Sequence, residues 1–197
     1  MKFLLLTFIA AVTPFATVFA ETAKPAAKGD QIPDVTVQSA DGTDLKLRAA
    51  VKKQPAVIVF YRGGWCPYCT RHLMALAEVE KDIVAAGYQI LAISPDKPAK
   101  IAETPDREKL SYTLLSDAKM DAAKAFGISF KVADELVSKY KNEYQIDIEA
   151  ASGENHHLLP HPAVFIVDRD GIIRFSHINE NYKVRLEPAE ILKNLRE

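Results

Sequence analysis

The chain has 197 residues, 48% of them hydrophobic, and carries 25 Lys plus Arg against 26 Asp plus Glu. That length supports one domain with a full hydrophobic core, and the near-zero net charge excludes a strongly basic nucleic-acid surface, so no nucleic-acid partner is expected. Two cysteines are too few for a disulfide-stapled scaffold or a four-cysteine zinc site.

The first residues read as an export signal. Lys2 supplies the charged start, Phe3 to Phe19 is largely apolar, and Val18-Phe19-Ala20 fits a small-residue cleavage site. The run is short for a membrane span and is interrupted by Pro14, which argues against a retained anchor. The expected division is a signal over 1–20, a flexible polar leader over 21–30 and one globular domain over 31–197. An exported protein follows, periplasmic or otherwise extracytoplasmic, with no stable membrane insertion once the signal is removed.

Val35 to Leu47 alternates around Asp41-Gly42 and predicts a hairpin, followed by a short helix over 47–53. Ala56 to Tyr61 is a continuous apolar, β-branched run, the pattern of a central strand buried on both faces. Helical spacing of Leu73, Leu76, Ala77, Ile83 and Val84 predicts a helix over 70–86, stopped by Gly87. A second apolar strand covers 88–93. A charged helix is expected over 96–110, a short strand over 112–115 and a helix over 117–126 ending at Gly127. Val132 to Lys141 reads as a helix, and 142–160 as an insertion without periodicity. Ala163 to Val167 and Ile172 to Ser176 form a hairpin across Asp168-Arg169-Asp170-Gly171, and Pro188 opens a last helix. The order β-β-α-β-α-β-α-β-β-α predicts an α/β fold with a mixed central sheet, helices on both faces and an N-terminal β-hairpin extension.

The only two cysteines stand as Cys66-Pro67-Tyr68-Cys69, between the strand over 56–61 and the helix that follows. A thiolate at a helix start meets unpaired backbone N–H groups and the positive end of the dipole, which lowers its pKa. A second thiol three residues on can resolve what the first one forms. A structural disulfide across two intervening residues would restrict the unfolded chain little, so redox chemistry is the more economical reading.

The segments VIVFYRGGWCPYC, QILAISPD, YTLLSDAKMDAAKAFGI, PAVFIVDRDGIIR and HINENYKVRLEPAEIL together resemble a thioredoxin-fold protein of the peroxiredoxin-like branch of the alkyl hydroperoxide reductase and thiol-specific antioxidant family. The resemblance runs from about Gly29 to the C-terminus. It implies a thioredoxin-like, peroxiredoxin-type fold and a thiol peroxidase. The chain departs from the family pattern P-x-x-x-T/S-x-x-C in placing Arg62 at the Pro, Cys66 at the Thr and Cys69 at the attacking Cys. A further family Arg falls near Pro162. Trp65-Cys66-Pro67-Tyr68-Cys69 is instead similar to thioredoxin and glutaredoxin dithiols, with Pro162 in the place of their cis-proline. Those folds often bury an acid near the dithiol, and Ala56 to Tyr61 holds none.

Cys66 and Cys69 are therefore the candidate catalytic pair. Cys66 is the expected attacker as the more N-terminal thiol, with the roles reversed in the peroxiredoxin frame. Arg62 is the candidate cation beside them, against the plain reading of a solvated loop arginine. Trp65 would shape a substrate groove or simply fill the rim, and Pro67 would tighten the first helical turn. His156, His157 and His161 admit a Cu(I)-carrier reading with the cysteines, but a polar insertion over the site is preferred and no metal site is assigned. The expected substrate is a hydroperoxide, with a protein disulfide as the alternative. A thioredoxin-like dithiol would supply electrons, and no cofactor beyond the cysteines is needed.

Overall fold

In the computed structural model, which describes residues 24–196, the apolar segments assemble into a seven-stranded mixed sheet. The early hairpin forms as β1 (Thr36–Ser39) and β2 (Asp44–Lys46), and α1 (Leu47–Lys53) follows directly. The run after Pro55 becomes β3 (Ala56–Phe60), with all five residues buried. The remaining elements are α2 (Pro67–Ala85), β4 (Gln89–Ser94), α3 (Pro98–Ala102), β5 (Thr113–Ser116), α4 (Asp121–Ala125), β6 (Ser129–Lys131) and α5 (Asp134–Glu143). Then come α6 (Ile148–Ser152), β7 (Leu158–Pro160), β8 (Ala163–Val167), β9 (Ile173–Ile178) and α7 (Pro188–Asn194).

The sheet order is β2-β1-β5-β4-β3-β8-β9. β3 pairs parallel with β4 and antiparallel with β8, so it lies inside the sheet as its composition requires. Strand side chains alternate between faces, and β3 divides two cores accordingly. Ile58 and Phe60 join Phe126 and Phe165 on one face. Val57, Val59 and Tyr61 meet Leu73, Leu76 and both cysteines on the other, beneath α2. The aromatic trio Phe60, Phe126 and Phe165 packs with ring centroids 4.9 to 6.1 Å apart. The sheet and its two cores thus fix the end of β3 and the start of α2, where the dithiol sits.

Four expectations need correction. The leader is not free over its last residues: the Ala26 N–H donates to Phe126 O at 3.0 Å, Gly29 N–H to Ile173 O at 2.8 Å, and Ile173 N–H to Asp30 O at 2.9 Å. These bonds satisfy the carbonyl at the end of α4 and extend the edge at β9, which a composition rich in Ala and Lys does not reveal. The proposed signal and the residues up to 23 lie outside the described residues.

The charged helix over 96–110 is instead α3 and one 3-10 turn, Arg107–Lys109. Pro105 lacks the N–H that a continuous helix needs, and Asp106 takes a left-handed φ of 55°. The insertion over 142–160 contains structure. α6 starts at Asp147, whose carboxylate accepts the Ala150 N–H at 2.9 Å, and β7 pairs with β6 in a separate two-stranded sheet. Elements of five and three residues are too short to show a period.

Pro162 is not a cis-proline, since the described residues contain no cis peptide bond. The His161 N–H donates to Ile128 O at 2.8 Å and the Pro162 carbonyl accepts from Asn179 N–H at 3.0 Å. With both flanks tied in this way, the chain passes extended from β7 into β8.

Candidate active site

The dithiol loop is built by the end of β3 and held from behind by β4. Tyr61 N–H still pairs with Ile93 O at 3.0 Å, so the strand direction persists one residue past β3. Gly63 then turns the chain at φ 142°, a conformation open to glycine. A Cβ there would lie 2.2 Å from Trp65 Nε1 and 2.8 Å from Asp96 Oδ1, so no other residue fits the loop as it stands. The Asp96 carboxylate accepts the Gly64 N–H at 2.7 Å and fixes the loop against β4.

Cys66 is the N-cap of α2 and Pro67 occupies its first turn, as the sequence predicts. The Cys66 carbonyl accepts the N–H groups of Cys69 at 2.9 Å and Thr70 at 3.0 Å, which closes the first turn and brings the two sulfurs to one side. Both cysteines are free thiols and both are buried, Cys69 completely.

Their environments push them apart. The Cys69 side chain hydrogen-bonds to Cys66 and holds the Cys66 thiol down to about 6, helped by the Cys69 backbone N–H and by Arg62 and Arg185, against the cost of burial. Burial drives Cys69 the other way, well above the ordinary thiol range, and its bond to Cys66 adds to this. The resting pair is therefore a Cys66 thiolate accepting from a Cys69 thiol.

Arg62 is 3% exposed and not a solvated loop arginine. Its Nη2 donates to the Tyr140 hydroxyl at 2.6 Å. Its guanidinium carbon lies 4.4 Å from the Tyr182 ring centre, 5.2 Å from Trp65 and 5.6 Å from Tyr140, a three-sided aromatic enclosure. Trp65 is half-buried and packs on Tyr140 with centroids 6.2 Å apart. It also borders an open cleft of about 320 Å³ lined by Asp96, Lys100 and residues of the α5–α6 connection.

The structure adds residues that the sequence analysis did not single out. Arg185, in the segment between β9 and α7, donates from Nη2 to Cys69 Sγ at 3.2 Å. Its Nη1 donates to Val184 O at 2.8 Å and to Tyr182 O, so the loop carbonyls aim it. Asp96 is the buried acid that the 56–61 strand lacks, and burial raises its carboxyl to about 6. His72, one turn beyond Cys69, stands 3.2 Å from Leu186 O through Nε2. Burial, then the Arg185 charge, lowers it to about 4, so the ring is neutral and donates to that carbonyl. Asp96 and Arg185 lie within QILAISPD and the tail motif, the signal that would have found them; for Tyr140, α5 offers none.

Cys66, Cys69, Arg62, Trp65 and Pro67 thus converge. Pro162 lines a small pocket with His72 and with Arg185, the residue that reaches Cys69. The histidines of the former insertion have other partners. His156 Nε2 bonds to Ala118 O at 2.8 Å, His157 Nε2 lies 2.7 Å from Glu149, and His161 stacks on Phe130 at 4.5 Å.

Comparison with known proteins finds a family and several relatives. The model of the AhpC/TSA family matches residues 28–176. Two Mycobacterium tuberculosis chains provisionally named peroxiredoxins are 33% identical over 99 residues, half of this chain, and the chain spans 62% of their length. Peroxiredoxin Bcp of Escherichia coli K12 is 25% identical over 173 residues, covering 88% of this chain and 97% of its own. Among solved structures, peroxidoxin BcpB of Mycobacterium tuberculosis superposes with a TM-score of 0.67 at 22% identity, over 86% of this chain and 96% of that one. That likeness speaks for the fold alone.

Proposed function

This chain belongs to the AhpC/TSA family, and from that premise we propose that it is a thiol peroxidase reducing hydroperoxides through a Cys66–Cys69 disulfide. The observation that carries the reading is the placement of the pair, Cys66 at the N-cap of α2 and Cys69 one turn on with Arg185 bonded to its sulfur, a setting that lowers the Cys66 thiol. The Cys66 sulfur attacks one peroxide oxygen. An S–O bond forms, the O–O bond breaks, and the other oxygen leaves as an alcohol or water after taking a proton. Cys69, as thiolate, then attacks the Cys66 sulfenic acid and expels its oxygen as water. The peroxide has gained two electrons and the dithiol has become a disulfide. An external thioredoxin-like dithiol returns the electrons by exchange.

Arg62 and Arg185 supply cations beside a dithiol that lacks the Thr and the Arg of the family pattern. The Arg62 charge favours the thiolate and meets the negative charge that develops on the departing oxygen. Export belongs to the proposal and is supported by the charged, apolar and small-residue pattern of residues 1–20.

One observation favours a second reading, a protein-disulfide oxidoreductase. The N-terminal cysteine caps the helix, carries the depressed pKa and has Pro67 behind it, the arrangement suited to disulfide exchange.

The test is stopped-flow oxidation of the reduced domain by hydrogen peroxide, followed through Trp65, the single tryptophan. Oxidation orders of magnitude faster than a free thiolate is expected. Oxidation no faster than a free thiolate, with insulin disulfides reduced instead, would replace the peroxidase by the second reading.

A further inference from the structure

We propose that Arg185 activates Cys69 as the resolving thiol, so that the arginine acts on the second chemical step. The inference deepens the cycle proposed above and rests on its assignment of Cys66 as attacker, though not on the identity of the oxidant.

The geometry separates the two cations. Arg62 is enclosed by Trp65, Tyr140 and Tyr182 and has its Nη2 bonded to Tyr140. Arg185 instead directs an N–H at the sulfur of Cys69. It comes from a different part of the chain than either cysteine, and its other nitrogen is fixed on the carbonyls of Tyr182 and Val184. The segment that carries it is anchored at both ends, by Asn179 N–H on Pro162 O at 3.0 Å and by His72 on Leu186 O at 3.2 Å. The guanidinium therefore keeps its position when the charge on the dithiol changes.

The chemistry needs such a group. In the resting pair Cys69 is the proton donor, and complete burial keeps it a thiol. Once Cys66 has attacked, its sulfur is bonded to oxygen or to another sulfur and no longer takes the hydrogen bond from Cys69. The reaction then advances only when Cys69 gives up its proton and its sulfur displaces the group on Cys66. A fixed cation at 3.2 Å holds the new thiolate in a site that burial would otherwise forbid. Arg185 thus touches the reacting atom of the second step. The Arg62 guanidinium, already engaged by Tyr140, is left to the first.

A disulfide probe separates the steps without relying on peroxide. With 4,4′-dithiodipyridine, Cys66 attack forms a mixed disulfide and releases one 4-thiopyridone. Cys69 attack on the Cys66 sulfur then closes the internal disulfide and releases a second. Two thiols are oxidised and the probe is reduced to two thiopyridones, which carry away the two protons. Stopped-flow absorbance at 324 nm therefore gives two phases of one equivalent each. In Arg185→Gln the second phase is expected to slow about tenfold relative to the first, the effect of raising the Cys69 pKa by about one unit, and its pH midpoint to move up. Arg185→Lys should restore most of the second-phase rate.

Far-UV circular dichroism and a urea midpoint matching the parent report that the variant is folded, and because Arg185 also favours the Cys66 thiolate, the second phase is judged relative to the first. Equal slowing of both phases, an unchanged second phase, or no recovery in Arg185→Lys would overturn the role. Failure of the peroxidase reading would leave this result intact, because the probe is a disulfide.

Discussion

Arg62 and Tyr140 are 78 residues apart in sequence, yet the guanidinium Nη2 donates to the phenol oxygen at 2.6 Å inside the protein. That bond ties the dithiol loop to α5, an element outside the main sheet. Tyr140→Phe removes the acceptor and leaves a charged, buried N–H unpaired. The expected cost is about 1–3 kcal/mol in urea unfolding, with the Cys66 titration moved upward because Arg62 is no longer held beside it.

The Cys66 thiolate should be visible directly. Absorbance at 240 nm of the reduced protein is expected to rise with a midpoint of about 6 for one thiol, while Cys69 stays protonated far into the alkaline range. Cys69→Ala removes the largest contribution to that midpoint and should shift it upward. A midpoint unchanged in Cys69→Ala would mean that the helix start and the arginines act alone.

Buried His72 makes stability depend on pH. Its folded pKa of about 4 is depressed from an ordinary 6.5, so the stabilisation of the neutral ring is present above 6.5 and is lost as pH falls through 4. The full span corresponds to about 3 kcal/mol. Glutamine can still donate to Leu186 O and does not titrate. His72→Gln should therefore lose less stability than the parent between pH 7 and pH 4.5, measured by urea unfolding at both values.

Gly63→Ala is expected to be among the most damaging single-methyl changes. The new Cβ enters a left-handed φ of 142° and overlaps the Trp65 indole and the Asp96 carboxylate, which must both move. A loss of about 2–4 kcal/mol follows, with a shifted Trp65 emission as the loop moves off Asp96. Retained emission and stability would show that the loop relaxes without cost.

Legibility in the sequence followed the range of the interactions. β3, the start of α2, the two hairpins and the dithiol were readable because apolar runs, turn residues and C-x-x-C spacing are local. Arg62 was legible as a nearby cation, but its burial was not, since Tyr140 and Tyr182 reach it from distant segments. Arg185 escaped for the same reason: 116 residues separate it from Cys69. The trans Pro162 was misread because the dipeptides around it admit several turns. Only the bonds from Asn179 and to Ile128 fix the extended path. The short elements α6 and β7 carry too few residues for periodicity to express itself.

The segment between β9 and α7 closes the site from a part of the chain made well after the dithiol, and this sets an order of events during synthesis. Both cysteines leave the ribosome long before Arg185, and the cation that serves Cys69 follows it by 116 residues. A nascent or truncated chain ending before that segment carries the thiols without their completed setting. Full reactivity is thereby withheld until the segment that carries Arg185 has docked.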